Sequence, residues 1–382
     1  MDFTLTDEQR MLHSLCREFA EKEINPHASE WNRTRRFPIE VFRRMAELNL
    51  MGLLIPEAYG GTNAGAVAYV AAMEEIGAAD QSVAATWNAH LTIGSLPILV
   101  FGTERQKEEW LAPLARGEKL GAFALTEPNA GSDARAIETI ASLDGDAWVI
   151  NGRKMFITNA GTEMSFGVIA LVVTGLEPGG KKRFSNIVIP KGAPGYRVGP
   201  NLDKIGWHGT DTREQIFENC RVPRDHLLGE EGAGLRQFMT TLDAGRISIA
   251  AVSLGLIRAC LEAATAYAKA RSQFGKPLAQ FQAIQFKLAD MATELELARL
   301  ITYKAAWLYD DKRPHAKEAA MAKLYTSEAA MRAAHQAVQI YGGYGYMEES
   351  PVARLYRDAK ILEIGEGTSE IQRLVIARQL GC

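Results

Sequence analysis

The sequence predicts a mostly α-helical protein with a central β-domain, and three observations predict it. Helix-type apolar spacing fills residues 1–120. Short β-rich runs broken by Gly, Asn, Asp and Pro occupy residues 121–228. Helical spacing then returns and holds, in long segments, over residues 229–382. A chain of 382 residues outgrows one hydrophobic core, so the three stretches are expected to be three domains.

In the first stretch, Thr6 with Gln9 can form a capping box that opens "TDEQRMLHSLCREFAEKEI", and Thr103 with Gln106 repeats it before "KEEWLAPLA". In such a box the hydroxyl and the amide each satisfy a backbone N–H that the helix start leaves unpaired. Pro38 suits the first turn before "IEVFRRMAEL", where a missing N–H costs nothing. Between 64 and 100 the apolar residues are too dense for a surface helix, so those helices are expected inside a bundle.

In the second stretch "GAFALTE", "AWVING", "KMFITN", "FGVIALVVTG", "SNIVIP" and "REQIFENCRVP" read as strands of a small antiparallel sheet rather than as βαβ units. In the third, helices are expected over 230–270, 280–310, 316–341 and 366–379. Four long helices on short connections suggest an antiparallel bundle. There is no internal repeat and no low-complexity linker.

Composition narrows the function. With 47% hydrophobic and 23% charged residues the chain has the make-up of a soluble globular protein. A net charge of −3, from 43 basic and 46 acidic residues, leaves no basic excess for nucleic acid or anionic lipid. Cys16, Cys220, Cys260 and Cys382 are far apart with no CxxC pair, which argues against zinc and a disulfide framework and for a reducing compartment. The start, "MDFTLTDEQR", has neither the basic nor the apolar region of a secretory signal. No apolar run is read as reaching the roughly 18 residues of a membrane span. The expectation is a soluble intracellular protein without a metal.

Several chemistries lack their motifs. No GxGxxG follows an expected strand, and there is no GxxxxGK followed by the Ser or Thr of a phosphate loop, no HExxH and no GxSxG elbow. The seven histidines are scattered, with none paired at i, i+4. His90, inside an apolar helix, reads as a satisfied core or surface residue rather than a catalytic one.

Four stretches stand out. "FALTEPNAGSD" (123–133) runs from strand through turn to a Gly-rich loop, whose backbone N–H groups beside Thr126 and Ser132 suit a flat polar ring or a phosphate. "RKMFITNAG" (153–161) sets Phe156 beside Ile157 and Thr158. "RSQFGKPLAQFQAIQ" (271–285) is a basic, aromatic loop at a helix junction. "QIYGGYGYMEESPVARLYRDAKILEIGEGTSEIQR" (339–373) has glycine pairs, where backbone can approach a ligand, and, within its last 13 residues (361–373), three carboxylates, Glu363, Glu366 and Glu370. Each has an ordinary reading: a hairpin connection, a core aromatic, a solvated turn. For Glu366 the ordinary reading is a carboxylate at a helix N-terminus, stabilised by the helix dipole.

Taken together, "LTEPNAGSD", "RSQFGK", "QIYGGYGY" and "YRDAKILEIGEGTSEIQR" make the chain resemble the acyl-CoA dehydrogenases, flavoproteins that desaturate acyl-CoA thioesters. The resemblance runs from "LTDEQ" to "IQRLVIAR", essentially the whole chain. It implies an amino-terminal helical domain, a middle antiparallel β-domain and a carboxy-terminal four-helix bundle, in a homotetramer built as a dimer of dimers.

The implied reaction is α,β-dehydrogenation. A base removes the pro-R α-proton while the β-hydrogen leaves as hydride to flavin N5. The enolate-like charge needs donors aimed at the thioester oxygen; in the family these are the base's own backbone N–H and a flavin ribityl hydroxyl. Glycine on both sides of the base fits that close approach, so Gly365 and Gly367 select Glu366. In a desolvated pocket its pKa would be raised, as suits a base near neutral pH. Some relatives carry the base on another helix, at the place in "LDAGRISIA" where this chain has Gly245.

The resemblance also implies an FAD site. Phe123, Leu125, Thr126, Gly131 and Ser132 match the loop lining the isoalloxazine, with Phe156, Ile157 and Thr158 on its other side. Arg271 and Phe274 match residues that reach the pyrophosphate and adenosine of a neighbouring subunit's FAD, a role for which the planar guanidinium is suited. Gln339, Gly342 and Gly343 match the same cross-subunit contact, and Thr368 and Glu370 follow the base along the flavin. Ser132, Asp243, Arg246 and Gly367 match positions that contact the coenzyme A substrate. Where most relatives have Trp this chain has Phe156, which keeps the packing and loses the indole N–H.

The resemblance implies electron transfer to an electron-transfer flavoprotein, in the cytoplasm of a bacterium or, for a processed eukaryotic chain, in the mitochondrial matrix. Alternatives are a flavin-dependent acyl-CoA oxidase and a non-catalytic acyl-CoA-binding homologue; the short chain and the intact Glu366 argue against each in turn. "LDAGRISIA" is most similar to the short-chain, butyryl-type branch, so short to medium acyl chains are expected. "ATWNAHLTIGS" (85–95) is a candidate for the floor of the acyl pocket, with Trp87 either shortening it or simply in the core.

Overall fold

The computed structural model describes residues 4–382. Its first part is helical: α1 (Asp7–Phe19), α2 (Ala28–Thr34), α3 (Ile39–Glu47), α4 (Ala66–Ala79), α5 (Gln81–Ala89), α6 (Leu96–Phe101) and the short α7 (Glu104–Gln106) and α8 (Ala112–Ala115). Both capping boxes form. Thr6 Oγ1 accepts from the Gln9 N–H at 3.3 Å, and Thr103 Oγ1 from that of Gln106 at 3.3 Å. Pro38 is the N-cap of α3, just outside the first turn. Between α5 and α6 the chain makes a π-helical segment, His90–Ser95. The dense apolar helices are buried: Tyr69, Val70, Met73, Ile76, Trp87 and Leu91 are at most 1% exposed. Trp87 belongs to this core, with its indole N–H on the Leu50 carbonyl at 3.1 Å and its ring against Tyr69.

The middle part is an eight-stranded sheet: β1 (Phe123–Ala124), β2 (Ile140–Asp144), β3 (Ala147–Thr158), β4 (Gly167–Leu176), β5 (Lys182–Pro190), β6 (Tyr196–Asn201), β7 (Thr212–Pro223) and β8 (Leu227–Leu228). The strand order is β6-β7-β3-β2-β4-β5-β8, with β1 beside β4. The expected all-antiparallel pairing needs one correction. Both β1 and β2 run parallel to β4, with Phe123 opposite Ile169 and Ile140 opposite Val173. They lie end to end along β4, so the chain between them has to bulge out as a loop. "AWVING" and "KMFITN" are one strand, β3, bulged against β7 at Ile150–Gly152 and at Lys154–Ile157. The short β2, β6 and β8 have no counterpart among the expected strands.

The last part holds α9 (Gly234–Ala270), a hairpin of β9 (Ser272–Gln273) and β10 (Lys276–Pro277), α10 (Gln282–Asp310), α11 (Ala316–Tyr341), α12 (Pro351–Ala359) and α13 (Ser369–Gln379). Three of the four expected helices are long. The fourth, expected over 366–379, starts only at Ser369, and α12 precedes it. Helix α12 lies outside the expected spans, and the start of α13 is delayed because the turn before it takes left-handed backbone at Glu366 and Gly367.

One hydrophobic core joins the first and last parts. Phe42, Met73 and Trp87 belong to the same buried cluster as Ile257, Met291, Ala330 and Leu362. The sheet has its own core, around Trp148, Val168, Ile187 and Phe217. Contrary to the expectation, two helical runs, Gln81–Phe101 and Gly234–Ala270, are long and apolar enough to cross a membrane by length and composition. In the fold 83% of each apolar window is buried, so they read as core helices. Among the described residues no three His, Cys, Asp or Glu side chains gather as a metal site.

Candidate active site

Glu366 sits in the turn between α12 and α13, not in the first turn of a helix. The N-cap of α13 is Thr368, whose Oγ1 accepts from the Ile371 N–H at 3.3 Å, and the acid of the first turn is Glu370. The helix-dipole reading therefore belongs to Glu370. The backbone of Glu366 is left-handed, φ 52°. Non-glycine residues held there store strain, and such residues concentrate at functional sites.

The carboxylate is aimed inward. Oε1 accepts from Asn88 Nδ2 at 2.8 Å. Oε2 is buried and has no hydrogen-bond partner among the described residues. Burial pushes the Glu366 carboxyl up to about 7, against the opposing pull of the Asn88 hydrogen bond and the charges of Lys323 and Arg246. A buried oxygen that takes no hydrogen bond and titrates near neutrality is equipped to accept a proton from carbon. The Glu366 backbone N–H also donates to nothing among the described residues, leaving it free for a developing oxyanion.

Glycine at 245, on α9, makes room for this carboxylate. A Cβ there would stand 2.3 Å from Glu366 Oε2. Arg246 beside it is 2% exposed and pairs with Asp243 through Nη1. Its Nε has no partner among the described residues. Asp243 and Arg246 thus lie together at the wall of the site. Segment 85–95 faces the same place through Asn88 and through Ile93, whose Cγ2 is 3.7 Å from that Cβ position at 245.

Two residues hold the turn from behind. Lys323 Nζ on α11 donates to the Gly367 carbonyl at 2.7 Å, and Gln372 Nε2 on α13 donates to it at 2.9 Å. Gly367 itself takes φ 93°. Glu363, by contrast, pairs with Lys360 at 2.5 Å.

Most residues expected at the flavin gather on and around the loop between β1 and β2. Phe123 stacks on Phe238 at 5.0 Å. The Leu125 carbonyl accepts from Lys154 Nζ at 3.0 Å, and that of Thr126 from the Met155 N–H at 2.8 Å. Gly131 and Ser132 are exposed, and a Cβ on Gly131 would touch nothing within 4 Å. Across on β3, Phe156 is 63% exposed with φ 62°, Ile157 is packed in the sheet core, and Thr158 is half-buried. The Ile157 side chain is therefore committed to packing.

The expected cross-subunit residues lie elsewhere, and three of them share a cavity. Arg271, Gly342 and Gly343 line it together with Tyr267, Tyr344 and Met347. The Arg271 guanidinium lies 5.8 Å from the centre of the Tyr344 ring. A Cβ on Gly342 or Gly343 would meet nothing within 4 Å. Phe274 stands at the hairpin tip, φ 54° and 94% exposed, followed by Gly275 at φ 80°. Gln339 is exposed on α11 but does not line the cavity. Neither Glu366 nor Thr126 and Ser132 line it either.

The sequence reading passed over Asn88, Lys323, Gln372 and Lys154. A signal existed for three of them. Asn88 interrupts the apolar run "SVAATWNAHLTIGS", Lys323 interrupts "EAAMAKLYTSEAA", and Lys154 alternates into a strand. A polar group at a core position must have a buried partner. All three are buried, Asn88 at 2% and the two lysines at 0% exposure. His90 is buried and satisfied, as expected, between the Met51 carbonyl and the Gly121 N–H at 3.0 Å each.

Comparison with known proteins agrees with this geometry. Residues 6–118, 122–220 and 232–381 match the N-terminal, middle and C-terminal domains of acyl-CoA dehydrogenase. The chain is 52% identical, over 100% of both chains, to the probable acyl-CoA dehydrogenase YngJ of Bacillus subtilis. It is 49% identical to the mitochondrial short-chain specific acyl-CoA dehydrogenase of Bos taurus, over 98% of this chain and 90% of the relative. Among solved structures, butyryl-CoA dehydrogenase of Megasphaera elsdenii superposes with a TM-score of 0.96 at 43% identity, over 100% of both chains. A chain solved in work on the electron transferring flavoprotein of Acidaminococcus fermentans gives a TM-score of 0.96 at 43% identity, over 100% of this chain and 99% of that one. This chain belongs to the acyl-CoA dehydrogenase family.

Proposed function

We propose that the protein is an FAD-dependent acyl-CoA dehydrogenase of short to medium acyl chains, with Glu366 as its catalytic base. It converts acyl-CoA to trans-2-enoyl-CoA in fatty-acid or branched-chain acyl-CoA breakdown and passes the electrons to an electron-transfer flavoprotein. The observation that carries this reading is Glu366 itself: on one strained residue, a buried Oε2 and a backbone N–H that both lack a hydrogen-bond partner among the described residues.

The residues present suit FAD. The loop is held at Leu125 and Thr126 and open at Gly131, and Phe156 on β3 offers an exposed aromatic face. Arg271 and the bare backbone of Gly342 and Gly343 suit a pyrophosphate and an adenosine. Bound FAD supplies the two-electron acceptor for the β-hydrogen. The chain does the rest. Glu366 takes the α-proton on Oε2 while Asn88 keeps Oε1 occupied. The Glu366 N–H is free to donate to the thioester oxygen as negative charge builds there. Asp243, Arg246 and Ser132 are assigned to the substrate, with Gly367 beside the base.

Arg271, Gly342 and Gly343 line a cavity that Thr126, Ser132 and Glu366 do not line, which favours a homotetramer in which a neighbour supplies Arg271, Phe274, Gln339, Gly342 and Gly343. The identity to short-chain and butyryl-CoA enzymes supports short acyl chains. The expected location is the bacterial cytoplasm or the mitochondrial matrix.

Anaerobic mixing of the purified yellow protein with butyryl-, octanoyl- and palmitoyl-CoA tests the reading. Bleaching should be fastest with butyryl or octanoyl chains, and a long-wavelength charge-transfer band should appear. Glu366→Gln should keep its FAD and bleach at least ~100-fold more slowly. A fully active Glu366→Gln enzyme would remove the base, and reoxidation by oxygen instead of by a flavoprotein acceptor would favour an oxidase.

A further inference from the structure

Lys323 is a costly residue where it stands. It is 0% exposed, in the middle of α11 among alanines. Its ammonium donates to one carbonyl, that of Gly367, and makes no ion pair among the described residues. A buried ammonium without a carboxylate partner is a heavy desolvation cost, and the fold alone gives no reason to carry it. Its setting does. The carbonyl it grips belongs to the residue after Glu366, in a turn with φ 52° at Glu366 and 93° at Gly367. Gln372 grips the same carbonyl.

We propose that Lys323 is the positioning residue of the base: it pins the Glu366–Gly367 turn through the Gly367 carbonyl and supplies the positive charge against which the Glu366 carboxylate ionises. The inference rests on Glu366 being the base. Other groups face that carboxylate as well. Asn88 on α5 gives a neutral hydrogen bond, and Arg246 on α9 is already shared with Asp243. The Tyr69 hydroxyl on α4 is bonded to Ser248. Glu363 and Glu370, on the base's own segment, add negative charge that acts on Lys323. Lys323 is therefore the cation near Glu366 that no carboxylate among the described residues has claimed. Burial pulls the ammonium down to about 8, with Glu366 opposing that fall, as a mutually dependent pair requires.

The test is the pH dependence of flavin reduction per bound FAD under saturating butyryl-CoA, in two variants. Lys323→Gln keeps a donor and removes the charge. It should raise the pH midpoint by about one unit while the plateau rate at high pH stays within about threefold of the parent. Lys323→Met removes donor and charge together, and should add a fall of about tenfold in the plateau rate with little change in KM. A Lys323→Gln enzyme that binds FAD and keeps the parental midpoint would overturn the proposal. Failure of Lys323→Gln to assemble with FAD would overturn it too, by making Lys323 a residue of the fold. Glu366→Gln serves as the control. If that variant stays active the base assignment falls, and if it is inactive while the Lys323 variants are unshifted, only the present inference falls.

Discussion

A carboxylate that takes a proton from carbon near neutral pH needs a pKa near that pH, and Glu366 is pushed up to about 7 by burial. Only the ionised form accepts the proton. Flavin reduction should therefore be slow below pH 6, rise through a midpoint near 7 and level off above 8, read by stopped-flow bleaching at fixed saturating substrate. Flanking glycines were the sequence argument for Glu366, and they turn out to be unequal. Gly367 uses its freedom at φ 93°, whereas Gly365 has ordinary backbone. The glycine that the carboxylate needs most is distant in sequence, Gly245, where a Cβ would stand 2.3 Å from Oε2. Gly245→Ala should displace the carboxylate and slow bleaching by about 100-fold, with FAD content unchanged. No local pattern announces a contact 121 residues away.

Elements with a local signal were legible, and those fixed by tertiary pairing were not. Capping boxes, long helices and long strands follow from nearby residues. The two-residue strand β8, which had no expected counterpart, is a strand because β5 gives it an edge to pair with. Helix α12 did carry a local signal, Pro351 in its first turn, which the sequence reading did not use. The loop between β1 and β2 rests on a buried pair: Lys154 Nζ lies 2.7 Å from Glu127 Oε1, and Glu127 also accepts from the Glu138 and Thr139 N–H groups. Burial alone would raise the Glu127 carboxyl, but Lys154 and these donors bring it below its ordinary value. Its stabilising share is present above the unfolded carboxyl range and is lost as pH falls through the folded value. Lys154→Met strands that carboxylate at 6% exposure. It should cost about 3–5 kcal/mol, seen as a lower Tm and weaker FAD retention at pH 7.

At the scale of the molecule, one shared core ties the first and last helices together, and α10 presents an apolar outer face. Phe286, Leu297, Leu300 and Trp307 on that helix are each half or more exposed, or within a percent of it. Their spacing keeps them on one side of the helix, and an exposed apolar face suits a subunit interface. Light scattering should give four times the chain mass. Leu300→Asp should break the assembly and release FAD in step; a monomer that keeps its FAD would show that one chain holds the whole cofactor site. The sealed Oε2 of Glu366 has a last consequence, for isotopes. A proton parked there has no hydrogen-bond partner among the described residues through which to leave, and bound substrate only adds cover. Deuterium taken from the α-carbon should therefore be remembered by the enzyme. In ordinary water, with reoxidation withheld, returned acyl-CoA should keep most of its α-label, and mass spectrometry of substrate recovered after many reversals would find it.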